Sequence, residues 1–233
     1  MTNCNLDSQK IFNTIGLLQK RIEERFSGSS LSMVCRDLAR VANKSNATIS
    51  HIHENKPGYR MGVFVFVAAV LGCSIFGLSG LRTSSQEMTV VLMLHLLDAV
   101  FNIVILVGGA IIFLVSIENR TKRRRVIKAI NTLRCLGHVI DSHQLTKDPS
   151  YLDQAVIQTT HSPKRNMTSF ELGRYLNYCS EMLSLVSKIG FLYVQNYNDH
   201  NATESARNLE EMTNELSSKI WQKIMIIQNE RKA

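Results

Sequence analysis

Residues 89–117 read TVVLMLHLLDAVFNIVILVGGAIIFLVSI, a run of 29 residues in which Asp98 is the only formal charge. As an α-helix rising about 1.5 Å per residue it exceeds the roughly 30 Å hydrocarbon core of a bilayer, so it spans with some tilt or emerges into the cytoplasm. Upstream, residues 61–81 read MGVFVFVAAVLGCSIFGLSGL, 21 residues without a charge. Apolar residues bunched in this way, rather than spaced at helical or strand period, describe helices that face lipid. A soluble core helix is the bland alternative, but two such runs separated only by residues 82–88 speak against it. The expectation is a transmembrane hairpin with spans at about 61–81 and 89–117. About 60 mostly polar residues precede the first run, too many for it to serve as a signal peptide.

The flanks orient the hairpin. Lys44, Lys56 and Arg60 precede the first span; Arg120, Lys122, Arg123, Arg124, Arg125 and Lys128 follow the second; the connection carries only Arg82 and Glu87. Lys and Arg stay on the cytoplasmic side, so both termini are expected inside and the connection outside, in a multi-pass protein of the cell inner membrane. The net charge of +8 has the same origin. Residues 1–60 hold 9 basic and 5 acidic side chains, residues 118–168 hold 10 and 4, and residues 169–233 hold 7 and 8. The excess therefore borders the membrane, where anionic headgroups attract it. The cluster Arg120, Lys122, Arg123, Arg124 and Arg125 is read as a stop-transfer signal lying on the membrane surface, and direct nucleic-acid binding is not expected of it.

With 3 prolines and 12 glycines in 233 residues the chain reads as all-α. Three segments are expected: a cytoplasmic helical arm over 1–58, the hairpin over 59–118, and a cytoplasmic helical domain over 119–233. In the arm, Ile11, Ile15, Leu18 and Ile22 recur at helical spacing until Ser27-Gly28-Ser29-Ser30; Leu31, Val34, Leu38 and Val41 mark a second helix that weakens in NKSNATISH. Pro57-Gly58 marks where the chain meets the membrane. Beyond the second span Val126, Ile130, Leu133 and Ile140 keep one face, so that helix is expected to run well into the cytoplasm. The stretch 143–168 looks loop-like, with Asp148-Pro149 able to open a short helix. Thr168 with Glu171 fits a capping box ahead of Leu176, Cys179, Leu183, Val186 and Val194. After the turn NYNDHN, Asn201 with Glu204 resembles a second box, followed by Leu209, Met212, Leu216, Ile220, Ile224 and Ile227. Such stripes pack on one another or on the arm, with Trp221 as an amphipathic packing residue.

No Walker loop, G-x-S-x-G, H-E-x-x-H or Rossmann glycine pattern occurs, so no enzyme, catalytic residue or cofactor is expected. Nor is a metal site: Cys4, Cys35, Cys73, Cys135 and Cys179 are scattered, and His51 and His53 diverge on a helix without a third ligand. Reduced thiols and unused sequons at Asn43, Asn46, Asn166 and Asn201 follow from the cytoplasmic topology. The distinctive residues lie inside the second span. His95, Asp98 and Asn102 fall at i, i+3 and i+7 and so share a face, continued by Gly109. An Asp at that depth costs about 2.5–3.5 kcal/mol unless it meets protein or water. The face thus lines a pore or relay surface, or it pairs His95 with Asp98, or with Ser74, merely to hold helices together. Ala68, Gly72 and the Gly77-Ser79-Gly80 group in the first span, with Gly108 and Gly109 in the second, allow close helix approach. Two helices enclose no conduit, so conduction requires a homo-oligomer.

Helical arm, two-span hairpin, basic stop and helical cytoplasmic domain together resemble the small two-transmembrane effectors of bacterial anti-phage defence, those encoded with retrons or beside nucleotide-signalling enzymes. The resemblance covers the whole chain as architecture. It implies a dormant membrane protein restrained by a cytoplasmic protein or nucleoprotein partner, which on release oligomerises, permeabilises the inner membrane and aborts infection. Two other roles fit the same plan: a non-catalytic scaffold or regulatory subunit that recruits a cytoplasmic protein, and a regulated channel component.

Overall fold

The computed structural model describes residues 5–53, 62, 65, 68, 72, 90–149, 159–162 and 167–230, with the side chains of 50–53, 90–93, 95, 96 and 230 outside that description. Among the described residues the chain is all-α, with five helices and no strand. These are α1 (Ser8–Arg25), α2 (Ser30–His53), α3 (Val90–Leu145), α4 (Ser169–Val194) and α5 (His200–Glu230). Residues 1–53 and 123–233 make one compact unit and residues 54–122 another. The expected first span lies outside the described residues except for Gly62, Val65, Ala68 and Gly72, all helical and exposed. The connection 82–88, Pro57-Gly58, Cys4, Cys73, Ser74, Gly77, Ser79, Gly80, the sequon at Asn166, and the side chains of His51, His53 and His95 also lie outside it.

In α1 the Asp7 carboxylate accepts from the Gln9 and Lys10 amides and so caps the helix. Its apolar residues at i, i+4, i+7 and i+11 (Ile11, Ile15, Leu18 and Ile22) are all buried, each contributing about 1.5–3 kcal/mol by leaving water. The helix stops at Phe26, and the chain reverses through Gly28 at φ +67, a left-handed backbone that glycine adopts without penalty. Ser29 then opens α2, its hydroxyl accepting from the Ser32 amide. Here the sequence expectation fails in a specific way. The polar stretch NKSNATISH does not weaken the helix, which continues to His53, and its buried positions shift from the half-buried Val41 to Ala42 and Ser45. A buried serine is tolerable because its hydroxyl donates to the Val41 carbonyl at 2.8 Å, satisfying itself within the helix.

The hairpin of α1 and α2 packs on α4, which packs mainly on α5. Helix α4 is the centre of this unit: Leu172, Tyr175, Leu176, Tyr178, Cys179, Met182, Leu183, Leu185, Val186, Ile189, Leu192 and Tyr193 are all buried. The sequence reading took only one stripe of this helix. The structure buries most of its circumference, because α1, α2, α5 and the later turns of α3 surround it, and Val194 at its end is only half-buried. The Thr168–Glu171 capping box forms as expected, Thr168 Oγ1 accepting from the Glu171 amide at 3.2 Å and Glu171 accepting from the Thr168 amide at 2.8 Å. At the other end Gln195 accepts from the Leu6 amide at 2.9 Å and donates to its carbonyl at 3.2 Å, tying the N-terminal segment to α4.

Helix α3 runs through Gly137 without interruption, and Val126, Ile130, Leu133 and Ile140 of its later part are fully buried. Glycine is required at two points of this core. A Cβ on Gly190 would stand 2.6 Å from Cδ2 of the buried Leu209, and one on Gly137 would stand 2.7 Å from Cε of Met212. On α5 the buried set is Leu209, Thr213, Leu216, Ile220, Ile224 and Ile227, with Met212 only partly covered. Trp221 is 53% exposed, which overturns its expected role as a packing residue: it falls between the buried positions Ile220 and Ile224 and turns outward. The expected second capping box is also displaced. Asp199, not Asn201, caps α5, its carboxylate accepting from the Ala202 amide at 3.0 Å, and Glu204 instead pairs with Arg207 at 2.7 Å.

Candidate functional site: the apolar segment of α3 and its basic boundary

Among the described residues one helical stretch, Leu97–Leu145, is long and apolar enough to cross a membrane; its most apolar window has a mean hydropathy of 2.7 and none of it is buried. Leu97, Phe101, Val104, Ile112 and Phe113 are between 63% and 72% exposed. Left in water each would forfeit roughly 1.5–3 kcal/mol relative to burial, so a series of them around one helix suits hydrocarbon rather than solvent. The two hydroxyls near the end of this stretch are satisfied locally: Ser116 donates to the Ile112 carbonyl at 2.8 Å and Thr121 to the Ile117 carbonyl at 2.9 Å.

Within this segment the structure brings together two of the three expected polar residues. Asn102 Nδ2 donates to Asp98 Oδ2 at 3.3 Å, one turn apart, and both are exposed. The partner given to Asp98 is therefore Asn102, where the sequence offered His95 or Ser74. Ser116 lies fourteen residues beyond Asn102, close to four full turns, and so extends the same face, an extension the sequence reading passed over. Around Gly108 and Gly109, as at Gly72, no described atom stands within 4 Å of where a Cβ would sit, and Ala68 is exposed. These small residues thus have no described neighbour in a single chain.

At the basic boundary the five expected surface charges separate into two kinds. Lys122 is bound to Glu118 at 2.8 Å and Arg123 Nε donates to Asp199 Oδ2 at 2.7 Å. Arg120, Arg124, Arg125 and also Lys128 are exposed, with no ion pair among the described residues. The assignment of Arg123 to a free membrane-surface cluster is thereby corrected: it holds the residue that caps α5. Burial works against the charge of Asp199, but the Ala202 amide, the Arg123 guanidinium and the Asn201 amide outweigh it, and its pKa falls below the usual carboxylate value. The signal was present in the sequence as an Asp three residues ahead of Ala202 in NYNDHNA, the N-cap spacing, masked by the competing Asn201.

A second polar group closes the C-terminal end of α3. Lys223 Nζ donates to the Gln144 carbonyl at 3.1 Å and to its side-chain oxygen at 2.7 Å, while Gln144 Nε2 donates to Asp141 Oδ1 at 2.6 Å. Lys223 thus satisfies a carbonyl that the helix end leaves without a partner. Burial holds its pKa below the usual lysine range against the opposing pull of Asp148 and Asp141. Burial likewise pushes the Cys35 and Cys179 thiols up to about 12, so neither offers a thiolate nucleophile, whereas Cys135 is exposed. Beside Trp221 an open groove of about 480 Å³ carries Thr14, Arg174, Glu181 and Lys188. Compared with known proteins, the chain matches no family model, no curated protein and no solved structure.

Proposed function

We propose that the chain is a membrane effector whose copies assemble along the Asp98–Asn102 face of α3 and permeabilise the bilayer when a cytoplasmic partner releases them. The observation that carries this reading is an Asp–Asn pair, 3.3 Å apart, set on a helix otherwise apolar and exposed. A carboxylate on a membrane-crossing helix demands protein or water as a neighbour, and a ring of copies supplies both. The first apolar run, residues 61–81, is the second span of a hairpin, and the Lys and Arg flanks hold both termini in the cytoplasm of a bacterial cell. Abortive infection, in which the infected cell is halted by loss of its membrane barrier, is the role this plan serves. No enzyme chemistry and no cofactor belong to it.

Inducible expression in a bacterium with a membrane-potential dye tests the reading, with expression level and membrane insertion verified. Wild type is expected to depolarise the membrane and arrest growth, and Asp98→Asn to relieve both at equal expression. Depolarisation undiminished by Asp98→Asn and by Asn102→Leu would sink the assignment of this face. A second reading, a non-conducting scaffold, is favoured by the folded helical unit with its outward-facing Trp221, Met225 and Ile226. It predicts harmless expression together with retention of a cytoplasmic protein through residues 168–233.

A further inference from the structure

The ion pairs at the basic boundary leave a specific residue. Arg123 is committed to Asp199, at the edge of the buried stripe of Val126, Ile130 and Leu133. Arg124 and Lys128, one turn apart, lie on the opposite side of the helix, with Arg125 beside them, and all three are exposed without an acidic partner among the described residues. Unpaired like charges at i and i+4 repel one another and destabilise a helix, so an isolated helical unit gains nothing from keeping them there. They begin seven residues after Ile117, where the apolar run ends. The interfacial layer of a bilayer is about 5–8 Å thick on each side, and the rise along a helix from Ile117 to Arg124 is about 10 Å, within reach of a flexible Arg side chain.

We infer that Arg124, Arg125 and Lys128 form a binding site for the phosphate of anionic phospholipid headgroups, from which Arg123 is excluded by its bond to Asp199. The inference rests on the reading that α3 crosses the bilayer. Guanidinium groups bind phosphate oxygens through paired N–H donors and are weakly hydrated, which suits them to an interface better than a second lysine would. A duplex nucleic acid offers the same phosphate chemistry, but the site adjoins a helix segment that belongs in hydrocarbon, so the headgroup is the ligand the chain meets first.

The test uses the full-length protein in neutral detergent, titrated with short-chain dihexanoyl phosphatidylglycerol or dihexanoyl phosphatidylcholine and followed by microscale thermophoresis. Phosphatidylglycerol is expected to bind in a salt-sensitive manner and phosphatidylcholine at least tenfold more weakly. The triple change Arg124→Gln, Arg125→Gln, Lys128→Gln is expected to lose about a hundredfold in affinity for phosphatidylglycerol, from about a factor of five per removed charge. Arg123→Gln is expected to keep that affinity, even where it lowers the unfolding temperature. Equal binding of the two lipids, an unaffected triple variant, or tighter binding of a 20-base-pair DNA through the same three residues would overturn the assignment. Alkaline carbonate extraction of membranes keeps the two readings distinct. Protein that resists extraction yet lacks selectivity for phosphatidylglycerol refutes the lipid site alone, whereas protein released by carbonate refutes the crossing of the bilayer.

Discussion

Replacing Asp199 separates two jobs that one carboxylate performs. Its Oδ1 caps α5 through the Ala202 amide at 3.0 Å, and its Oδ2 receives Arg123 Nε at 2.7 Å, with the Asp side chain 10% exposed and the Arg side chain 41% exposed. Asp199→Ala removes both. Loss of an N-cap costs about 1 kcal/mol, and loss of a charge-assisted bond to a partly exposed guanidinium costs about 1–2 kcal/mol. A total of about 2–3 kcal/mol lowers Tm by about 4–12 °C in a helical unit of this size. Asp199→Asn keeps the cap, because Asn serves as well as Asp there, and is expected to lose only about half as much. Arg123→Gln should match Asp199→Asn, and the double variant should cost little beyond either, the signature of a coupled pair. Arg124→Gln should leave Tm within about 1 °C. Thermal unfolding followed by circular dichroism at 222 nm in one detergent reads all of these. Equal losses for Arg123→Gln and Arg124→Gln, or additive losses for Arg123→Gln and Asp199→Asn, would refute the division of the basic run into structural and surface charges.

Three further outcomes follow from the same geometry. The folded-state pKa of Asp199 lies below its unfolded value of about 3.9, so its contribution is full above about pH 5 and is lost as the pH falls through the folded value. Unfolding midpoints measured between pH 6 and pH 2.5 should therefore fall more steeply for wild type than for Asp199→Asn. Gly190→Ala sets a methyl 2.6 Å from Leu209 Cδ2 and should destabilise by about 1–2 kcal/mol after the helix-propensity gain, whereas Gly173→Ala, with nothing within 4 Å, should stabilise by up to about 1 kcal/mol; urea midpoints decide the pair of signs. With thiols pushed up to about 12, Cys35 and Cys179 should resist maleimide in the folded protein while the exposed Cys135 reacts, and peptide mapping of the labelled protein distinguishes them.

The parts of this chain that sequence makes legible are those governed by a single strong periodicity. Ile11, Ile15, Leu18 and Ile22 face one core and nothing competes with them, so their spacing alone places them. The capping box at Thr168 and the break at Gly28 are equally local. What the spacing hides is the outcome of competition between neighbours. Helix α4 is surrounded, so Tyr175, Tyr178, Met182 and Ile189 are buried although they lie off the stripe that Leu176, Leu183 and Val186 define. In α2, a serine that bonds its own helix turns Ser45 into a core position that polarity argued against. At α5, Asp199 and Asn201 are both good caps two residues apart, and only the reach of Arg123 from α3 decides for Asp199. The candidate site divides likewise. Asp98 and Asn102 were legible as one helical face, but which basic residues are free depended on carboxylates 4 and 76 positions away, Glu118 for Lys122 and Asp199 for Arg123.

The central claim, that copies of this chain meet within the membrane along the Asp98–Asn102 face, is tested most directly by cysteine cross-linking in native membranes. Asn102→Cys and Val104→Cys, each in a background with the five natural cysteines replaced by serine, set one thiol on the polar face and one on a flank that faces away from it. Mild oxidation is predicted to convert Asn102→Cys into a disulfide-linked dimer and to leave Val104→Cys monomeric. Monomer at both positions, or dimer at Val104→Cys alone, would contradict the account.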